Sequence, residues 1–158
     1  MFVRLYYLNG IGLKHFLPFV DAQEGNNYIR VFDILWWRMN KEIEVSVVLP
    51  CLNEEKAIGV CIRKIKEAFS REGIMGEIIV ADNGSSDHSG EIATQEGAIV
   101  ILEPQRGYGA AYLRGLREAQ GKYIIIGDSD NTYDFYDIPK FLKSLKAGYD
   151  FVMGSRFK

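Results

Sequence analysis

From Val45 onward, short apolar runs rich in β-favouring residues alternate with longer stretches in which apolar positions recur every three or four residues. The runs are Val45 to Leu49, Glu77 to Ala81, Ala98 to Leu102, Tyr123 to Gly127 and Asp150 to Gly154, each predicted as a strand. Between the first two, Ile58, Cys61, Ile62, Ile65, Ala68 and Phe69 form one stripe of an amphipathic helix, and Gly73 is placed to end it. Shorter helices are predicted from about Asp87 to Glu96, stopped by Gly97, and from about Gly109 to Ala119, stopped by Gly121. A fourth stripe, Ile138, Phe141, Leu142 and Leu145, has Asp137 at the capping position and Pro139 in its first turn. Runs such as Ile-Ile-Val and Ile-Ile-Ile, apolar on both faces, suit strands in the middle of a sheet covered on each side. The pattern predicts a doubly wound, mostly parallel α/β sheet with helices on both faces.

The first 38 residues do not share this punctuation. They are crowded with aromatics (Phe2, Tyr6, Tyr7, Phe16, Phe19, Tyr28, Phe32, Trp36, Trp37) and hold no sustained period of two or 3.6. Met39 stands just ahead of the first strand as a natural start. Residues 1–38 are therefore read as an upstream extension or weakly ordered appendage, and residues 39–158 as the domain proper.

Composition excludes several classes. A formal charge of −2 gives no basic footprint of the kind nucleic-acid binding leaves. No apolar run reaches the roughly 18 residues of a spanning helix, and the amino terminus lacks the pattern of a secretory signal. Cys51 and Cys61 form no Cys-x-x-Cys pair and have no His cluster beside them, which points to reduced, buried thiols. A reducing, cytoplasmic location is the default expectation.

An open α/β sheet takes its ligands at the carboxyl ends of its strands. The segments found there are Pro50-Cys-Leu-Asn-Glu-Glu, Asp82-Asn-Gly-Ser-Ser-Asp, Glu103-Pro-Gln-Arg-Gly-Tyr-Gly, Asp128-Ser-Asp-Asn-Thr and Ser155-Arg, so carboxylates, glycines and arginines gather at one edge. Asp128 and Asp130 emerge together after an apolar strand, and a divalent cation would relieve their mutual repulsion. Mg²⁺ or Mn²⁺ held by one or two carboxylates keeps positions for diphosphate oxygens. The other reading is a loop with capping aspartates. Asp82 could accept a hydrogen bond from a nucleobase N–H, or it could close an Asx turn with Ser86 or Asp87 as cap. His88 reads as an exposed residue of that helix's first turn. Arg106 in Arg-Gly-Tyr-Gly could meet a phosphate or be a solvated loop charge. Tyr112 stands where a dinucleotide fingerprint needs its third glycine, which argues against a nicotinamide cofactor. Asp128-Ser-Asp-Asn-Thr132 also fits the motif of phosphatases with an aspartate nucleophile, although the four βα units ahead of it are the wrong context.

Taken together, Val45-Ser-Val-Val-Leu-Pro-Cys-Leu-Asn-Glu-Glu, Ile78-Ile-Val-Ala-Asp-Asn-Gly-Ser-Ser-Asp, Arg106-Gly-Tyr-Gly-Ala-Ala, Gly127-Asp-Ser-Asp and Gly154-Ser-Arg resemble family 2 glycosyltransferases of the GT-A fold. Within that family the chain is most similar to dolichyl-phosphate mannose or glucose synthases and their polyprenyl-phosphate relatives. The resemblance implies transfer of a sugar, with inversion, from a UDP- or GDP-linked donor to a polyprenyl phosphate, using Mg²⁺ or Mn²⁺. It implies nucleotide-sugar contacts from Pro50, Leu52, Asn53, Glu54, Asp82, Asn83, Arg106, Asp128 and Ser129. It makes Asp128 and Asp130 the metal ligands, and Asp130 and Arg156 the catalytic pair, Arg156 pairing its planar fork with phosphate. Asn83 replaces a commoner Asp, Leu52 stands where an aromatic often stacks on the base, and Thr132 stands where some relatives supply a metal ligand. Relatives continue into an acceptor half and often membrane helices, so the chain reads as truncated, with membrane contact peripheral or through the missing region at the cytoplasmic face. The alternatives are a donor-binding fragment without turnover and the aspartate-nucleophile phosphatase.

Overall fold

The chain divides into Met1–Asn40 and Lys41–Lys158. The structure, a computed structural model, describes residues 42–154. The readings of residues 1–38, of Met39 as the start and of Arg156 lie outside the described residues.

Four parallel strands, β1 (Val45–Cys51), β2 (Gly76–Asp82), β3 (Ile99–Leu102) and β4 (Tyr123–Ile126), lie in the order β3-β2-β1-β4. Val47 of β1 is in register with Ile78 of β2 and with Ile125 of β4. The chain thus builds outward from β1 through β2 to β3 and then crosses back to place β4 on the other side of β1. The strand order reverses between β1 and β4, which opens a crevice at their carboxyl ends.

Helix α1 (Ile58–Glu72) buries the predicted stripe and ends at Gly73, whose φ of 63° is the left-handed conformation a glycine cap supplies. It lies with α2 (Ser89–Gln95) and α4 (Ile138–Lys146) around a core of Val45, Val47, Leu49, Ile58, Ile62, Ile65 and Val80, none with any exposed surface, and α4 adds Ile138 and Leu142, both almost fully buried. Helix α3 (Tyr108–Glu118) covers the opposite face, where Gly115 sits directly against the Val48 side chain. All seven residues of β1 are buried, as expected of a central parallel strand.

Polar groups fix the approach to β4. Buried Ser46 donates its hydroxyl to Glu77 Oε1 (2.6 Å) and accepts the Gly121 N–H (2.7 Å). A Cβ on Gly121 would stand 2.5 Å from the Ser46 backbone nitrogen, so only glycine admits this crossing.

Three details differ from the sequence reading. Tyr123–Ile126 is an edge strand of the described sheet, with Ile124 and Ile126 at 43% and 56% exposure, because nothing among the described residues pairs beyond it. Asp150–Gly154 forms no strand, since an extended segment without a ladder partner leaves its N–H and C=O groups unpaired. Asp137 makes no capping bond; its carboxylate pairs with Lys140 Nζ at 2.5 Å. The cap belongs instead to Asp134, which accepts the Tyr136 N–H ahead of the 3₁₀ turn Phe135–Asp137.

Candidate functional site

A cleft of about 290 Å³ opens where β1 and β4 end. Pro50, Leu52, Glu54, Asn83, Asp128, Ser129 and Asp130 line it, together with Cys51, which the sequence offers only as a buried thiol, and Tyr108 and Ala111, to which it assigns no role. Residues from four separated segments therefore share one crevice.

Two loops form its floor and are tied to each other. Asn53, held at a φ of 59°, accepts the Ser86 N–H at 2.8 Å on Oδ1, and its own N–H reaches Ser85 Oγ at 3.0 Å. The Glu54 N–H donates to Ser89 Oγ (2.7 Å), and the Glu55 N–H to Asp87 Oδ2 (3.1 Å). Asn53 thus uses its side chain to join the β1 and β2 loops, which sets the position of Glu54. Asp82 closes its own turn by accepting from Ser85 N (2.9 Å) and Oγ (2.7 Å), the Asx reading of the sequence. His88 is exposed, with its ring nitrogen 3.4 Å from Glu55.

Asp87 accepts from Ser89 through both hydroxyl and N–H, and the hydroxyl contributes most to holding its carboxyl below the usual range. A depressed carboxylate stabilises the fold above its unfolded pKa and loses that contribution as pH falls through the folded value. We expect Asp87→Asn to lower the melting temperature near neutrality, with the gap to the parent protein closing below about pH 4; thermal melts across that range check it.

Asn83 is 4% exposed, and its hydrogens are fully committed. Nδ2 donates to the carbonyls of Glu103 (2.9 Å) and Gln105 (2.7 Å), while Oδ1 accepts the Gly107 N–H (2.8 Å). This one amide shapes the loop carrying Arg106 and delivers Tyr108 to the cleft. Arg106 itself is exposed, its guanidinium packed beside Gly84, where an added Cβ would lie 3.6 Å from its Cζ.

Across the crevice, buried Ser129 donates to the Pro50 carbonyl at 2.6 Å and sets the spacing of the β1 and β4 ends. The Asp130 carboxylate accepts the Thr132 N–H at 2.8 Å. Asp128 Oδ1 meets the hydroxyls of Tyr108 and Tyr112, the latter at 3.2 Å. Burial raises both phenols above the usual tyrosine range, helped at Tyr108 by its bond to Asp128 and at Tyr112 by the Tyr108 hydroxyl and then the Asp128 charge, so both remain donors. Glu54 is pushed upward by burial and then by the like charges of Asp130, Asp87 and Asp128. Burial likewise raises the thiols of Cys51 and Cys61, which stay protonated and unpaired with each other, as read from the sequence.

The donor set consists of hard carboxylate oxygens, whose mutual repulsion adds to the effect of burial at Glu54, and such a set suits Mg²⁺ or Mn²⁺. Among the described residues no group of three His, Cys, Asp or Glu side chains could cage a metal. An ion here would need further oxygens from a ligand, as an ion bridging one or two carboxylates to a diphosphate does.

A parallel α/β sheet with an acidic crevice at the point where its strand order reverses defines a nucleotide-binding class of domain. The match to the family model "Glycosyl transferase family 2" over residues 46–158 places the chain within it: this protein belongs to glycosyltransferase family 2. The low-salt glycan biosynthesis hexosyltransferase Agl6 of Haloferax volcanii is 47% identical over 115 residues, covering 72% of this chain and 28% of that protein. Among solved structures, glucosyl-3-phosphoglycerate synthase of Mycobacterium tuberculosis, crystallised with Mn²⁺, uridine diphosphate and glucosyl-3-phosphoglycerate, superposes with a TM-score of 0.58. It is 32% identical, over 65% of this chain and 39% of that one. Mannosyl-3-phosphoglycerate synthase of Rubrobacter xylanophilus gives 0.53 and 27%, over 62% and 34%. The chain spans less than half the length of each of these relatives. The GT-A-type fold expected from the resemblance is the observed one, and the phosphatase reading of Asp128 has no support from these likenesses.

Proposed function

We propose that this chain carries the donor-binding part of an inverting glycosyltransferase, taking a nucleoside-diphosphate sugar through a divalent cation. The observation that carries the reading is the meeting of Asp128, Asp130 and Glu54 with the β1 loop in one crevice, with the Glu54 carboxyl raised by burial and then by the neighbouring carboxylates. The solved relative that holds Mn²⁺ and uridine diphosphate supports it. Asp128 and Asp130 would hold the cation, and Pro50, Leu52 and Glu54 would face the nucleoside. Asn53, Asp82 and Asn83 act one step back, shaping the loops, and Arg106, exposed on the loop that Asn83 holds, would meet phosphate only by turning its side chain toward the cleft. When bound, Mg²⁺ or Mn²⁺ supplies positive charge against the negative charge that grows on a departing nucleoside diphosphate.

For the acceptor we retain polyprenyl phosphate at the cytoplasmic face of a membrane, the reading the motifs imply. Its phosphate oxygen is ionised at neutral pH and needs no protein base. Among the described residues no helix is long and apolar enough to cross a membrane. The structural relatives named for phosphoglycerate favour a second reading, a small water-soluble phosphorylated acceptor.

Calorimetric titration of the 158-residue chain with uridine and guanosine diphosphate, with Mn²⁺ or with chelator, tests the donor reading. We expect binding to one nucleotide that requires the metal; absence of binding to either overturns it. Labelled sugar then separates the acceptors, entering a lipid phase in the first reading and remaining in water as a phosphorylated glycoside in the second.

A further inference from the structure

Asp128 does not hang unsupported in the cleft. Tyr108 and Tyr112 lie one turn apart on α3, their rings edge to face with centroids 4.8 Å apart, and both hydroxyls converge on Oδ1 of Asp128. Tyr112 is also 3.2 Å from the Gly127 carbonyl, so its single proton is shared between the strand end and the carboxylate. The Tyr108 proton points at the same Oδ1, with the Tyr112 oxygen 3.2 Å away as its neighbour. Among the described residues both donors meet Oδ1 and none meets Oδ2. Two hydrogen bonds to one oxygen fix the rotation of a carboxylate and aim its other oxygen.

A carboxylate carrying two such donors is aimed before any ligand arrives, and loss of outer partners of this kind typically costs about 10–100-fold in metal affinity. The α3 helix is well placed to supply them. Gly115 lets it approach β1 closely, Asn83 fixes the loop that starts it, and Tyr112 is half-buried, so its hydroxyl has little freedom to turn away.

We propose that Tyr108 and Tyr112 are positioning residues that orient Asp128 Oδ2 toward the cation and diphosphate of the donor. The inference rests on the donor-site reading above. Neither tyrosine needs to touch the transferred sugar; each acts through Asp128.

The test uses the full chain, with uridine diphosphate (or guanosine diphosphate, should that be the one bound) and Mn²⁺ as probes. Mn²⁺ affinity is read directly from the loss of the free-ion paramagnetic resonance signal, in the presence of nucleotide, for the parent protein, Tyr112→Phe, Tyr108→Phe and the double variant. We expect each single variant to weaken Mn²⁺ binding about tenfold and the double variant more, with the melting temperature within a few degrees of the parent. A purely structural role would instead lower the melting temperature and leave the Mn²⁺ affinity of the folded protein unchanged. Should Tyr112→Phe fail to fold, Tyr108→Phe alone decides, since Tyr108 is 61% exposed and adds little to the core. Parent-like Mn²⁺ affinity in Tyr108→Phe, or in the double variant, overturns the proposal while leaving the donor reading intact. Absence of metal-dependent nucleotide binding in the parent protein overturns both.

Discussion

Asp128→Ala is expected to weaken Mn²⁺-dependent nucleotide binding by at least about 100-fold while leaving the melting temperature within a few degrees of the parent. The two halves of that expectation have one cause. Asp128 adds negative charge to a cleft that already holds Asp130 and Glu54, and after burial that charge helps to push the Glu54 carboxyl upward. Removing it relieves repulsion in the unliganded fold, which offsets the loss of the two tyrosine bonds. The same removal takes away an oxygen that a cation would bind. Asp130→Ala should behave alike in binding and should abolish any sugar transfer. Titration calorimetry and thermal melts on the same preparations check both halves; unchanged affinity in Asp128→Ala would contradict the assignment of the metal to this pair.

Much of this arrangement is legible in the amino-acid order, for identifiable reasons. The α1 stripe from Ile58 to Phe69 and its glycine stop depend on local spacing alone, and both occur as read. Placing the chemistry at strand ends follows from the sense of a parallel sheet, and seven of the residues singled out do line one cleft. What escaped depends on contacts between segments distant in sequence. Tyr123–Ile126 reads as a central strand because three consecutive isoleucines resemble one, yet centrality depends on a partner strand that a local pattern cannot reveal. Asp137 has the residue type and place of a cap, but Lys140 one turn on competes for its carboxylate, and Asp134 takes the role.

The tyrosines were missed for a different reason. In the sequence Tyr112 reads as a residue that spoils a dinucleotide fingerprint, although an aromatic pair at i and i+4 in the first turns of a helix beginning at the ligand edge is a usable signal. Asn53 and Asn83 show the opposite lesson. Their motif positions suggest direct contact with a nucleotide, whereas their hydrogen bonds run to Ser86, Glu103, Gln105 and Gly107, so their first task is to build the loops that make the contact.

Asn83 also explains its own departure from the commoner aspartate, and Asn83→Asp should be the most destabilising single-atom change in the site. The parent amide gives two protons to two carbonyls; a carboxylate would face both carbonyls with negative charge in a position only 4% exposed. Two bonds are lost and a buried charge is left without a donor except the Gly107 N–H. A cost of about 3–5 kcal/mol follows, lowering the melting temperature by on the order of 10 °C. Asn83→Ala, which loses the bonds without adding charge, should cost about half as much. The sign with pH separates the two variants. Burial and the facing carbonyls raise the pKa of the introduced acid, so the Asp variant is least impaired below the ordinary aspartate pKa, where a protonated carboxyl can still donate one hydrogen. Its deficit then grows as pH rises through the elevated folded value, whereas the Ala variant's deficit stays level. Thermal melts of the three proteins from about pH 4 to 8 give the comparison. Parallel curves for the Asp and Ala variants would mean that the 103–107 loop rearranges to admit the charge, and that its shape does not depend on the amide.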